Sequence, residues 1–135
     1  MKGTGVMSTN SAVNRIGILT SGGDAPGMNA AIRGAVRTSQ CLGMDCIGIL
    51  HGYAGLMQGM FIPLDEKVVK GIIGRGGTML YSARSKEYAT AEGVKHAADA
   101  CRQMKIDGLI VLGGDGTFRG ALDLSKHGIK VIGIP

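Results

Sequence analysis

The chain contains no tryptophan, and its aromatic residues number only five: Tyr53, Tyr81, Tyr88, Phe61 and Phe118. Its formal charge is +5, yet no dense Lys/Arg run occurs. A basic stripe interleaved with rings for stacking bases is therefore missing, and nucleic acid is not an expected partner. Its three cysteines, Cys41, Cys46 and Cys101, form no C-x-x-C pair. An odd, unpaired count excludes a disulfide framework or a zinc knuckle and predicts reduced, mostly structural thiols in a cytoplasmic protein. No apolar run approaches membrane-spanning length, so no membrane contact is expected. Residues 1–14 are polar and lack the apolar stretch of a signal peptide; they read as a flexible N-terminal tail. The three prolines are too few for a low-complexity or collagen-like chain.

Glycine, by contrast, is abundant. There are 24 in 135 residues, against a usual level of ~7%. Most fall at the ends of apolar runs, the pattern of a protein with many tight turns near a ligand. The most informative turn is Gly113-Gly114-Asp115-Gly116-Thr117. It follows the short apolar run Gly108–Leu112, a buried strand by length and β-branching, and precedes Phe118, Ala121, Leu122 and Ser125 at helical spacing. Glycines there let backbone N–H groups crowd around a phosphate, and the helix start adds partial positive charge. Asp115 would repel a bare phosphate, so its expected partner is phosphate-bound Mg²⁺. The same five residues also describe a tight strand-to-helix turn with Asp115 capping the helix.

The other segments repeat this strand–turn–helix rhythm. Arg15–Thr20 reads as a strand, Ser21–Gly27 as a glycine turn, and Met28–Leu42 as a helix with an apolar stripe of Met28, Ala31, Ile32, Ala35 and Val36. Arg33 and Arg37 are four apart, roughly opposite that stripe. Together they can hold a phosphate, although the spacing equally describes a solvated helix face. Met44–Leu50 is a second strand, and His51–Met60 reads as a glycine-rich loop whose Tyr53 either packs or stacks on a ligand. Phe61–Leu64 suits a sheet edge because of Pro63. Asp65 caps a helix predicted to run through Ile73, a third glycine turn occupies Gly74–Thr78, and Met79–Arg84 reads as a strand. Thr90 caps a helix that buries Val94, Ala97, Ala98, Cys101 and Met104 and leaves His96 exposed. Lys130–Ile134 is a last strand. Strands alternating with helices predict an α/β fold: a three-layer, mainly parallel, doubly wound, Rossmann-like sheet over residues 15–135. Ligands then bind at the carboxyl ends of the strands.

Two glycine turns for phosphates, an acid for Mg²⁺ and Arg84 for charge on a transferring phosphoryl group point to a nucleoside triphosphate. Neither turn matches G-x-x-x-x-G-K-[ST] or G-x-G-x-x-G with a ribose-binding acid, so an ordinary P-loop and a dinucleotide fold are both disfavoured.

From Arg15 to Pro135 the sequence resembles the 6-phosphofructokinase family. The matching pieces are Ile16–Arg33, Gly76-Gly77-Thr78 with Ser82-Ala83-Arg84, and Gly113–Thr117. The first is long and specific; the last also occurs in NAD kinases and diacylglycerol-type lipid kinases. The resemblance implies an ATP-dependent enzyme that moves a phosphoryl group to fructose 6-phosphate with Mg²⁺, of which this chain is the N-terminal, nucleotide-binding part. It implies that Gly23 approaches the ATP phosphates, Tyr53 lies near adenine, Arg84 contacts the transferring phosphoryl group and Ser85 follows it in the ATP site. Gly114, Asp115, Gly116 and Thr117 form the nucleotide-binding turn, with Asp115 on the metal side, and Gly120 belongs to the same site. Pyrophosphate-using members usually carry Asp in place of Gly116, so Gly116 implies ATP as donor; a pyrophosphate enzyme and a non-catalytic nucleotide-binding subunit are the alternatives. Arg33 and Arg37 match an effector site at a subunit interface, in a family that is usually tetrameric. Glu66 and Gly71 depart from that effector pattern, which puts activation by ADP in doubt. The family's general-base aspartate follows the position of Pro135, so the 135 residues alone are expected to be inactive.

Overall fold

The computed structural model describes residues 14–21, 27–70, 79–80, 88 and 90–134. Five strands form one sheet: β1 (Arg15–Thr20), β2 (Asp45–Ile49), β3 (Phe61–Leu64), β4 (Gly108–Leu112) and β5 (Lys130–Ile134), in the spatial order β3-β2-β1-β4-β5. All neighbours are parallel except β2 and β3, whose antiparallel register places Ile47 opposite Pro63. Pro63 has no N–H to give a further strand, which suits its place on the sheet margin.

The strands alternate by side. Leu19, Ile49, Leu109 and Val111 face one core with α2 (Gly52–Gln58), α4 (Ala91–Gln103) and α5 (Asp115–Ser125). Ile18, Cys46 and Leu112 face the other with α1 (Met28–Cys41) and the short α3 (Glu66–Val69). Burial on both faces is why the central strands read as nearly continuous apolar runs. Helices cover both sides, as expected of a three-layer, mainly parallel α/β sheet. The caps are also as expected: the Asp65 carboxylate accepts from the Val68 N–H at 2.9 Å and the Thr90 hydroxyl from the Gly93 N–H at 3.0 Å. His96 is exposed.

Three local expectations change. The glycine-rich stretch after β2 is a helix, α2, not a loop. His51 and Gly59 bracket it in left-handed conformations. Inside it, Gly55 is glycine for contact rather than freedom, since a Cβ there would overlap the Leu50 carbonyl. The helix capped by Asp65 ends at Val69; Gly71, Ile72 and Ile73 lie outside the described residues. Met79 and Leu80 occupy a turn instead of opening a strand, and the rest of the predicted Met79–Arg84 strand lies outside the described residues.

Candidate nucleotide site

The chain leaves β1 toward α1 and β2 on one side, and leaves β4 toward α5 and β5 on the other. The crossover helices α1 and α5 cover opposite faces, so the direction of winding reverses between the carboxyl ends of β1 and β4. In open α/β sheets this reversal opens the crevice that takes ligands. Here the two strand exits touch. The Ser21 N–H donates to the Leu112 carbonyl at 3.0 Å. A Cβ on Gly113 would lie 2.6 Å from the Ser21 carbonyl oxygen and overlap the Thr117 hydroxyl. Close backbone approach therefore accounts for glycine at this position.

The Gly113–Thr117 turn has two kinds of glycine. Gly113 is hemmed in by protein, whereas among the described residues Gly114 and Gly116 have nothing within 4 Å of the place a Cβ would occupy. Asp115 is the first residue of α5 and Gly114 holds the cap position without a side-chain cap bond. Thr117 is buried. The early N–H groups of α5 thus start beside an open space at the crevice, where an anion gains from both donors and helix dipole.

Behind this turn stands a stacked pair of tyrosines. The rings of Tyr53 on α2 and Tyr88 lie 4.2 Å apart, centroid to centroid, with 11° between their planes. The Tyr53 hydroxyl donates to the Thr117 carbonyl at 2.6 Å and the Tyr88 hydroxyl to the Gly120 carbonyl at 2.5 Å. A Cβ on Gly120 would be 2.9 Å from the Tyr53 ring and 3.0 Å from that of Tyr88. Burial pushes both phenols well above their ordinary ionisation range, and the charge of Asp123 adds to this. Tyr88 is the residue that sequence reasoning missed. Its signal was only that of an uncommon aromatic, with no neighbours at a readable spacing.

Of the residues singled out in the sequence, Tyr53, Gly114, Asp115, Gly116, Thr117 and Gly120 come together here. Gly23, Arg84 and Ser85 lie outside the described residues. Arg33 and Arg37 stand elsewhere, on α1, where with Glu66, Lys67 and Lys70 they line a cleft of about 290 Å³. Arg37 Nε is 3.8 Å from Glu66 Oε2, and both side chains are mostly exposed.

A family model described as Phosphofructokinase matches residues 15–135. The chain belongs to the phosphofructokinase family. It is 54% identical over 124 residues to an ATP-dependent 6-phosphofructokinase 1 of Thermus thermophilus, covering 91% of this chain and 38% of that protein. With an ATP-dependent 6-phosphofructokinase of Halothermothrix orenii the identity is 55% over 124 residues, again 91% of this chain and 37% of the relative. The chain thus spans well under half the length of these relatives. Among solved structures, the phosphofructokinase of Saccharomyces cerevisiae superposes with a TM-score of 0.82 at 32% identity, covering 90% of this chain and 20% of the other. A pyrophosphate-dependent phosphofructokinase from Marinobacter aquaeolei, at 18% identity and a TM-score of 0.76 over 91% of this chain and 33% of its own, shares the fold.

Among the described residues, no group of three or more His, Cys, Asp or Glu could hold a metal by itself. No described helix is long and apolar enough to cross a membrane. Cys46 and Cys101 are buried and Cys41 is exposed, all three as free thiols.

Proposed function

We propose that this chain is the nucleotide-binding part of an ATP-dependent 6-phosphofructokinase, which transfers the ATP γ-phosphoryl group to fructose 6-phosphate. The observation that carries this reading is the Gly113–Thr117 turn at the reversal of winding, with open space at Gly114 and Gly116. In this reading the N–H groups of the turn and of the first α5 residues bind phosphate oxygens. Asp115 would hold Mg²⁺, which when bound offsets phosphate charge. Gly23 approaches the phosphates, Tyr53 and Gly120 border the adenine end, Ser85 lines the same site, and Arg84 stabilises charge on the group in transfer. In this reading the full-length protein is a cytoplasmic homotetramer, as the resemblance to the family implies.

Gly116 supports ATP over pyrophosphate as donor. A Cβ there meets no atom of the described residues, which leaves room for a bound nucleotide. Arg33 and Arg37 form an effector site weakened by Glu66, whose negative charge is already paired with Arg37. The test is a coupled assay of the full-length protein with fructose 6-phosphate and either ATP or pyrophosphate in the presence of Mg²⁺. Turnover with ATP well above that with pyrophosphate is expected. A preference for pyrophosphate would refute the donor assignment, and no turnover with either would favour a non-catalytic nucleotide-binding subunit.

A further inference from the structure

Two buried hydroxyls in this molecule bond to carbonyls of one helix, three residues apart. A phenylalanine would fill the same apolar space without desolvating an O–H group, so packing alone does not call for tyrosine at either place. Both hydroxyls use α5 backbone as acceptor, at Thr117 and Gly120. Each of those carbonyls has a second lone pair besides the one used in the helix. Gly120 exposes its backbone to the rings, with no Cβ between. The Tyr53 end of the pair is in turn anchored, because α2 rests through Gly55 on the Leu50 carbonyl.

We propose that Tyr88, acting with Tyr53, is a positioning residue for the phosphate-binding turn. The stacked rings and their two hydroxyl bonds fix α5 along its own axis, and so fix where the N–H groups of Gly114–Thr117 stand. A slip of α5 by one residue would carry those donors about 1.5 Å, enough to break hydrogen bonds to a phosphate. This inference rests on the reading of that turn as a phosphate site. It assigns to Tyr88 a role through the helix and not through contact with a base.

The test uses Tyr88→Phe, Tyr53→Phe and the double variant in the full-length protein, since phenylalanine keeps the stack and removes only the hydroxyl. The readouts are kcat/KM with ATP and with GTP, which share a triphosphate and differ in the base, and deuterium exchange of peptides covering residues 113–125. Loss of one buried hydrogen bond predicts a fall of about three- to tenfold in kcat/KM. The expected result for Tyr88→Phe is an equal fall for both nucleotides, with faster exchange confined to α5. A merely structural role would lower the melting temperature without lowering kcat/KM at a temperature where the variant is folded, and that result overturns the proposal. So does a fall with ATP but not GTP, which would mark a direct base contact. If the wild-type protein turns over neither nucleotide, the phosphate reading of the turn fails by itself. The exchange data then still decide whether the tyrosines fix α5: unchanged exchange in the double variant refutes it, and faster exchange supports it.

Discussion

The β4–α5 turn and the Arg33–Arg37 cleft are both places where an anion could bind, and they are built in opposite ways. At the turn the groups are backbone, held by buried contacts: Gly113 against Ser21, Gly120 beneath two rings, and two hydroxyls on α5 carbonyls. In the cleft they are the tips of long side chains, of which Arg37 is mostly exposed and loosely paired with Glu66. Order at the first site derives from the core and is retained without ligand. At the second it must be supplied at binding, at the entropic expense of fixing each side chain.

Alkaline pH acts on the core behind the turn. Cys101 shares a core cluster with Tyr53 and Tyr88, and burial raises its thiol from 9.0 to about 11 against a smaller lowering by Arg102. The unfolded chain therefore loses this proton first. The stabilisation is complete below pH ~9 and lost as pH rises through ~11, by an amount on the order of 2–3 kcal/mol for such a shift. The two phenols, shifted in the same direction, deepen the fall. Urea unfolding at pH 8 and 11 checks this; equal stability at both would mean that this core is not closed.

Next in size is the effect of Gly116→Asp on the donor. At ~4 Å and an effective dielectric of about 20, two unit charges repel by roughly 4 kcal/mol. Screening by Mg²⁺ and water reduces this, and kcat/KM for ATP is expected to fall by about 10- to 100-fold. Because the space at Gly116 is open, the melting temperature should hardly move. Pyrophosphate use should suffer less, while Asp115→Ala harms both donors. A fall with ATP no larger than that with pyrophosphate would remove this turn from the nucleotide.

Two glycine-to-alanine changes sharpen the contrast in stability. In α5, Gly120→Ala drives a methyl group into both tyrosine rings and should cost about 1–3 kcal/mol. In α1, Gly34 is exposed and nothing lies within 4 Å of its missing Cβ. There Gly34→Ala should stabilise by about 0.5–1 kcal/mol through helix propensity. Chemical denaturation of the pair gives the answer, and equal signs would contradict the packing at Gly120. The smallest effect belongs to the Arg37–Glu66 pair. Either residue changed to alanine should alter stability by less than about 0.5–1 kcal/mol. Activation of the full-length enzyme by ADP should be slight, and strong activation abolished by Arg33→Ala would restore a working effector site.

The elements built on strong periodicity were legible. α1, α4, β1, β4 and β5 lie where their apolar patterns place them, because both cores run through them. The edge role of Pro63 was legible for a chemical reason, the missing donor. α2 was not, since its glycines imitate a loop. What makes it a helix is Tyr53 and Leu56 buried in a core whose other members are not local in sequence, while Gly55 lets the chain close against the nearby Leu50 carbonyl. At the site, the turn itself was readable from its glycines, but the distinction between the crowded Gly113 and the open Gly116 was not. It depends on how Thr117 turns back over Gly113 and on Ser21, which the pairing of β1 with β4 brings to that place. Tyr88 escaped for the same reason: its partners are Tyr53 and Gly120, each more than thirty residues away or on another helix.

The tyrosine stack also gives the molecule an optical property. With no tryptophan in the chain, near-ultraviolet absorption and intrinsic emission come from tyrosine, and two of the three tyrosines are this pair. The protein thus carries chromophores hydrogen-bonded to one helix. A change in how α5 sits would alter ring overlap and the environment of both hydroxyls together. A difference spectrum of the unlabelled chain would accordingly report on the first turns of α5, whereas the described lining of the arginine cleft holds no aromatic residue.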